Sequence, residues 1–303
     1  MDDEQWLADR FEENRGHLRA VAYRMLGSLA EADDAVQDTW LRLSRSGADQ
    51  VEDLRGWLTT VVARVCLNML RARNVRGERA LGVHVPDPLV STDEELQPEQ
   101  EALLADSVGL ALLEVLDTLT PAERLAFVLH DMFELPFDDI AALAGRTPAA
   151  VRQLASRARR RVKGAAVPDP DPDLARQREV VDAFFAAARG GDFDALVAVL
   201  DPAVVLRADT GAALPGATLL FHGAEAVARQ ALSGLAPAIS RPALRLHPAL
   251  VNGAAGVVVT MRGRPITLVG FTVAGGRIVE IDAIADPKRV RRIIEVARPS
   301  PPA

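Results

Sequence analysis

The chain has 303 residues, a formal net charge of −7, 49% hydrophobic and 25% charged residues. That composition is ordinary for a soluble globular protein, and the length predicts two or three domains rather than one core. A single cysteine, Cys66, excludes an intrachain disulfide and suits a reducing compartment. The acidic start MDDEQWLADRF lacks the parts of a signal peptide, and no apolar run nears the roughly 18 residues needed to span a bilayer, so the expectation is a cytoplasmic protein without membrane contact.

In chain order, residues 18–43 carry apolar positions at helical spacing on either side of Gly27-Ser28. A further helix is predicted over 54–72, with Trp57 in the core and Cys66 an inert buried thiol. Prolines and acids in Gly82–Gln100 read as a linker. Thr120-Pro121-Ala122-Glu123 forms a capping box that opens a helix to about Met132. A short helix over 137–143 and a glycine turn lead to Thr147 and Pro148, which start a helix to about Lys163. VPDPDPD, Val167–Asp173, reads as an extended, stiff connector. Beyond it lie helices at 176–189 and 193–200. Predicted strands follow at 203–208, 217–222, 243–251, 255–262, 266–274 and 277–284, with hairpin turns at Asn252-Gly253 and Gly275-Gly276. The expected organisation is multidomain: all-α blocks at 1–80 and 106–165, linkers at 81–105 and 166–173, and an α+β block with an antiparallel sheet at 174–298.

From Arg146 to Lys163 there are seven basic residues (Arg146, Arg152, Arg157, Arg159, Arg160, Arg161, Lys163) and no acidic one. Helix, glycine turn and second helix make a helix-turn-helix. Val151, Leu154, Ala158 and Val162 would pack on Ile140 and Leu143, leaving Arg146, Thr147, Arg152, Gln153, Ser156, Arg157 and Arg160 outward. Thr147, Arg152, Gln153 and Ser156 are the candidates for base edges, and Arg157, Arg159, Arg160 and Arg161 for phosphates. Upstream, Thr60, Arg64, Asn68 and Arg71 form a polar stripe along one side of a helix. Asp33, Asp34, Gln37 and Asp38 form an acidic face suited to a basic partner.

The block LLEVLDTLTPAERLAFVLHDMFELPFDDIAALAGRTPAAVRQLASRARRRV resembles region 4 of the extracytoplasmic-function sigma factors, the part that binds the −35 promoter element. SLAEADDAVQDTWLRL and LRGWLTTVVARVCLNMLRARN resemble that family's region 2. The resemblance implies core RNA polymerase (its β′ clamp helices and β flap) and promoter DNA as partners. Asp33, Asp34, Gln37 and Asp38 would meet the clamp helices. Thr60, Arg64, Asn68 and Arg71 would meet the opened −10 element, where extruding a base costs a few kcal/mol that a pocket must offset.

Residues 174–296 resemble the SnoaL-like, NTF2-type domain fused to one branch of these factors, a curved sheet around a conical cavity. The branch's linker motif stands here as ALGVHVPDPL, its glycine-rich motif as Asp209-Thr210-Gly211-Ala212 and its last motif as ADPKRV, each altered. Asp209, Gly211, His222 and Asp282 are candidate regulatory or pocket residues, and His247 a candidate titratable group. Nothing has metal-ligand spacing, so neither metal, cofactor nor catalysis is expected. The resemblance suggests a domain that contacts region 2, the linker or region 4, in place of or beside a separate anti-sigma protein, and a cavity open to a small ligand. Other readings are a helix-turn-helix regulator that is not a sigma factor, and a DNA-binding protein carrying a cyclase- or isomerase-like enzyme.

Overall fold

Gly27, at φ +70°, breaks the N-terminal helical run into α1 (Asp3–Leu26) and α2 (Leu29–Ser46), as a left-handed glycine does at a helix end. α3 (Leu54–Arg76) packs on both. The computed structural model describes residues 3–46, 53–76, 85–91, 109–165, 170–211 and 219–297. They divide into two units, residues 1–79 with 112–167 and residues 80–111 with 168–303.

The first unit is helical. Phe11, Leu18, Met25, Leu43, Leu58, Val62 and Cys66 fill the core between α1, α2 and α3, and burial pushes the Cys66 thiol up to about 12, keeping it inert. Trp57, expected in the core, is only half-buried. After α4 (Leu110–Thr118), the capping box of Thr120 and Glu123 opens α5 (Pro121–Phe127), which runs on as a π-turn over Val128–Met132. α6 (Phe137–Ala144) ends on Gly145 at φ +66°, and α7 (Pro148–Gly164) starts from Thr147, whose hydroxyl accepts the Ala150 N–H. Val151, Ala155 and Ala158 of α7 are buried, as are Ile140 and Leu143 of α6. Leu154 and Val162, expected on this face, are half-buried.

Both helical blocks belong to this one unit, and Arg124 joins them. Its Nε donates to the Arg24 carbonyl at 3.1 Å while Nη1 pairs with Asp117. Arg24 in turn lies 4.8 Å from the centre of the Phe133 ring, a favourable cation–π distance.

In the second unit, α8 (Leu174–Gly190) and α9 (Phe193–Val199) precede the strands β2 (Leu200–Asp209) and β3 (Leu219–His222). α10 (Ala224–Gln230), a π-turn over Ala231–Leu235 and α11 (Ala236–Ile239) then lead to a meander: β4 (Leu244–Val251), β5 (Ala254–Met261), β6 (Arg264–Ala274) and β7 (Arg277–Ile284). α12 (Pro287–Ala297) closes the unit. The sheet order is β1-β4-β5-β6-β7-β2-β3, where β1 is Val90–Ser91.

The expectation of an antiparallel sheet is corrected. β2 pairs parallel with β7, because α10 and α11 carry the chain from the β2–β3 hairpin across to β4, and a crossover rather than a tight turn then sets strand direction. The turns at Asn252-Gly253 and Gly275-Gly276 are present, with positive φ at both residues, the geometry that matches strand twist. A third, Arg262-Gly263, has the same backbone, hidden in the sequence because arginine is not a turn former. Phe184, Phe185 and Phe271 meet edge-on at 5.6–5.8 Å in the core. Alternation along the strands turns Leu206, Ala208, Ile281 and Ala283 toward this core and its cavity. It sends Arg207, Asp209, Glu280 and Asp282 to the other face.

Candidate nucleic-acid surfaces and a linker clamp

On α7 the outward residues are solvent-exposed: Arg152, Gln153, Ser156, Arg157 and Arg160, with Arg146 and Thr147 just before the helix. The basic face is narrower than its charge count, because two arginines turn back on their own unit. Arg159 Nε donates to Asp131 at 2.5 Å and Arg161 to Glu123 at 3.1 Å. Arg159 and Arg161, expected to hold phosphates, each have a carboxylate partner in the free chain while remaining about half exposed. Arg152 rests over the Phe137 ring at 5.5 Å, so this base-edge candidate starts from a preorganised position. The Thr147 hydroxyl caps the helix through the Ala150 N–H at 3.3 Å.

On α3, Arg64, Asn68 and Arg71 are exposed in a row and Thr60 is half-buried at its head. None of the four side chains has a bond to another described residue. Residues 47–52, in the loop that leads to α3, lie outside the described residues. On α2, Asp34 and Gln37 are exposed. Asp33 accepts from Arg19 at 2.7 and 3.3 Å, tying α2 to α1, and Asp38 pairs with Arg42 at 3.0 Å. Both carboxylates thus carry neutralising partners, leaving this face less acidic than the sequence reading implied.

The second unit brings together three stretches that the sequence singled out separately. Arg289 at the start of α12 donates through Nε to Asp87 at 2.6 Å and through Nη1 to Asp209 at 2.6 Å, and its Nη2 meets the Val85 carbonyl. Asp209 also accepts the Val85 N–H at 3.4 Å and the Gly211 N–H at 2.9 Å. Gly211, at φ +54°, lies against Asp286, where a Cβ would collide with the carboxylate. Asp286 itself caps α12 by accepting the Lys288 N–H at 2.8 Å.

Further along, Leu89 and Asn252 exchange bonds: the Leu89 N–H donates to Asn252 Oδ1 at 2.6 Å and the Asn252 N–H to the Leu89 carbonyl at 2.8 Å. Val90 and Ser91 then pair with Val251 and Leu250 as an edge strand. Residues 85–91, read from sequence as free linker, are thus built into the sheet, with Val85, Asp87 and Val90 buried. The prolines Pro86 and Pro88 donate no bond, so Asp87 and the flanking backbone carry the polar contacts.

The second connector is fastened too. Asp171 accepts the Gly275 and Gly276 N–H groups at 2.9 Å each and its own N–H donates to Val273. Those two glycine donors hold its carboxyl below the usual carboxylate range. Gln177, buried, donates to the Asp171 carbonyl and accepts the Ala255 N–H.

Of the four pocket candidates, none lines the apolar cavity of the unit. Asp209 and Asp282 face away from it by strand alternation, Gly211 follows Asp209, and His222 is exposed beside Glu225 and Arg229 at an open cleft. Asp282 instead shares Arg207 with Glu280, at 3.3 and 3.4 Å. His247 bonds the Thr260 hydroxyl at 2.9 Å, a structural role. Sequence reading missed Asp87, Asn252 and Arg289; the altered motifs flagged the stretches around Asp87 and Arg289 but not which residue would close the circuit.

A helix-turn-helix with an exposed basic face, a second helix with an exposed polar stripe, and an NTF2-like α+β unit define a promoter-recognition protein of the sigma type. Comparison with known proteins agrees. Residues 10–76 match Sigma-70 region 2, residues 109–162 Sigma-70 region 4, and residues 181–286 the SnoaL-like domain. The ECF RNA polymerase sigma factor SigJ of Mycobacterium tuberculosis is 37% identical over 92% of this chain and 91% of its own. The probable ECF sigma factor SigI of the same organism is 33% identical over 90% and 91%. The SigJ crystal structure superposes with a TM-score of 0.73 over 93% of this chain and 97% of that one. The chain belongs to the extracytoplasmic-function RNA polymerase sigma factors and is an alternative sigma factor with a fused SnoaL-like domain.

Proposed function

We propose that this sigma factor acts in the cytoplasm, binding core RNA polymerase through α2 and promoter DNA through α3 and α7, and that its C-terminal unit restrains it by gripping the connector between the two helical blocks. Asp34 and Gln37, with Asp33 and Asp38 beside them, supply the face for the β′ clamp helices. Thr60, Arg64, Asn68 and Arg71 read the −10 element. Arg146, Thr147, Arg152, Gln153, Ser156, Arg157 and Arg160 engage the −35 element. The C-terminal unit is regulatory rather than catalytic: Asp209, His222 and Asp282 point to no common cleft, as general acid–base work would require.

The observation that carries this reading is the circuit on Arg289. One guanidinium holds the connector residue Asp87 and the sheet residue Asp209, both largely out of water, where a charged pair resists separation far more than at the surface. Reading two promoter elements at once requires the helical blocks to take the spacing the DNA sets, and a connector fixed to the C-terminal unit limits that freedom. A tethered contact works at an effective concentration on the order of millimolar, so it can replace a separate inhibitor. Run-off transcription with core polymerase tests it, comparing the full chain with Asp87→Ala and with a chain ended after residue 165. Both changes are expected to raise promoter-specific output; unchanged or lower output from both would refute the restraint.

A further inference from the structure

Within the C-terminal unit, between the sheet and helices α8, α10 and α11, lies a cavity of about 220 Å³. Its walls include Phe184, Phe185, Leu206, Ile239, Phe271 and Ile281, and no charged side chain lines it among the described residues. Four alanines, Ala208, Ala231, Ala238 and Ala283, stand on its surface, where larger aliphatic side chains would close it. Empty apolar volume costs a fold stability in proportion to its size, and a purely structural core of this kind fills with Leu, Ile and Val.

The polar exceptions are two. Gln230 and Thr267 both line the cavity, and neither side chain has a hydrogen-bond partner among the described residues. Apolar walls with a few unengaged polar groups are the usual make-up of a small-molecule site. A charged ligand would enter without a counter-charge, at a desolvation cost nothing in the lining offsets. The size is bounded as well, since an apolar cavity of about 150 Å³ accommodates benzene.

From these features we infer that the cavity binds a neutral, largely apolar small molecule of about ten non-hydrogen atoms, two fused rings or a short alkyl chain, with one hydrogen-bonding group met by Gln230 or Thr267. The site stands on the opposite face of β2 from the clamp: Ala208 lines it and Asp209, the next residue, holds Arg289. It does not depend on the restraint proposed above, because binding is read directly.

The test is titration calorimetry on the full-length chain with three probes, 2-naphthol, naphthalene and 2-naphthoate. Expected is saturable binding of one 2-naphthol per chain with a negative heat-capacity change. Naphthalene should bind roughly tenfold more weakly, the loss of about one hydrogen bond, and 2-naphthoate at least a hundredfold more weakly. Ala208→Leu and Ala283→Leu, checked for folding by circular dichroism, should abolish binding of both neutral probes. Gln230→Met and the nearly isosteric Thr267→Val should leave naphthalene binding intact, and one of them should erase the preference for 2-naphthol; this pair decides the matter if the filled variants fail to fold. Absence of saturable binding, equal binding of the naphthoate, or binding indifferent to all four substitutions would overturn the inference.

Discussion

Arg289 holds Asp87 and Asp209 with a single guanidinium, 2.6 Å to each, across 202 and 80 residues of chain. The planar fork of arginine allows this double reach; a lysine ammonium is a point charge on a flexible stem and matches it poorly. Arg289→Lys is therefore expected to behave like Arg289→Ala rather than like the parent. Removing one partner of a buried ion pair costs about 3 kcal/mol, so in either variant the Leu89 amide, bonded to Asn252, should exchange roughly a hundredfold faster. Hydrogen exchange of peptides covering 85–91 reads this, and protection equal to the parent's would show that the segment is held without the arginine.

Arg124 is buried; its Nε donates to the Arg24 carbonyl and its Nη1 pairs with Asp117. It joins the two helical blocks of the first unit. Arg124→Ala leaves the Asp117 carboxylate without its cation, and the expected loss is about 3–5 kcal/mol, the range for breaking a buried pair. Urea denaturation followed through a probe on α3 should show a lower midpoint. Asp117→Asn, which keeps an acceptor for Arg124, should cost less.

The basic residues of α7 should divide into two groups. Arg157→Ala and Arg160→Ala each remove a cation without an ion pair among the described residues and are expected to lower the slope of log affinity against log salt by about 1 on a promoter fragment. Arg159→Ala and Arg161→Ala remove cations already paired with Asp131 and Glu123, and should leave that slope unchanged. Arg152→Ala or Gln153→Ala should relax base preference within the −35 element at a cost of about 1–3 kcal/mol. Fluorescence anisotropy across a salt series separates the groups.

Glu280 and Asp282 share one arginine, Arg207. Burial, reinforced by the Asp282 carboxylate, holds the Glu280 acid above its usual range despite that arginine. The folded chain thus binds this proton more tightly than the unfolded chain does. Its contribution to stability is full below the unfolded value of about 4.3 and declines as pH rises through the folded value. Glu280→Gln removes the decline, and at pH 7 it should raise Tm by about 2–4 °C, the shift that roughly 1 kcal/mol produces in a domain of this size. At pH 4 the two proteins should melt together. A lower Tm at pH 7 would mean that the charge on Glu280 stabilises the fold.

Local features were legible in the sequence because their causes are local. Thr120, Thr147, Gly27 and Gly145 mark helix ends through their own caps and φ angles, and with apolar spacing they placed most helices of the first unit, though not α4 (Leu110–Thr118) or the first turns of α1. What escaped depends on partners far along the chain. The parallel pairing of β2 with β7 follows from a crossover that includes α10 and α11, helices too short to announce themselves by periodicity. Residues 85–91 carry two prolines and so read as a linker, yet Val90 and Ser91, just past Pro88, pair with β4 as an edge strand, a pairing set by a partner far along the chain. Asp209 was singled out for a pocket; its real partner, Arg289, lies on α12, a helix the composition of ADPKRV did not suggest. Charge counts did not show the ion pairs of Arg159, Arg161 and Asp33, because a formal charge does not reveal the side chain that neutralises it.

The most direct measurement is promoter-specific run-off transcription by core polymerase with the full-length chain carrying Arg289→Ala beside the parent at equal concentration. A restraint exerted through this arginine predicts several-fold more transcript from the variant at an unchanged start site. Transcript equal to or below the parent's, from a variant whose 85–91 segment has demonstrably lost its exchange protection, would contradict it.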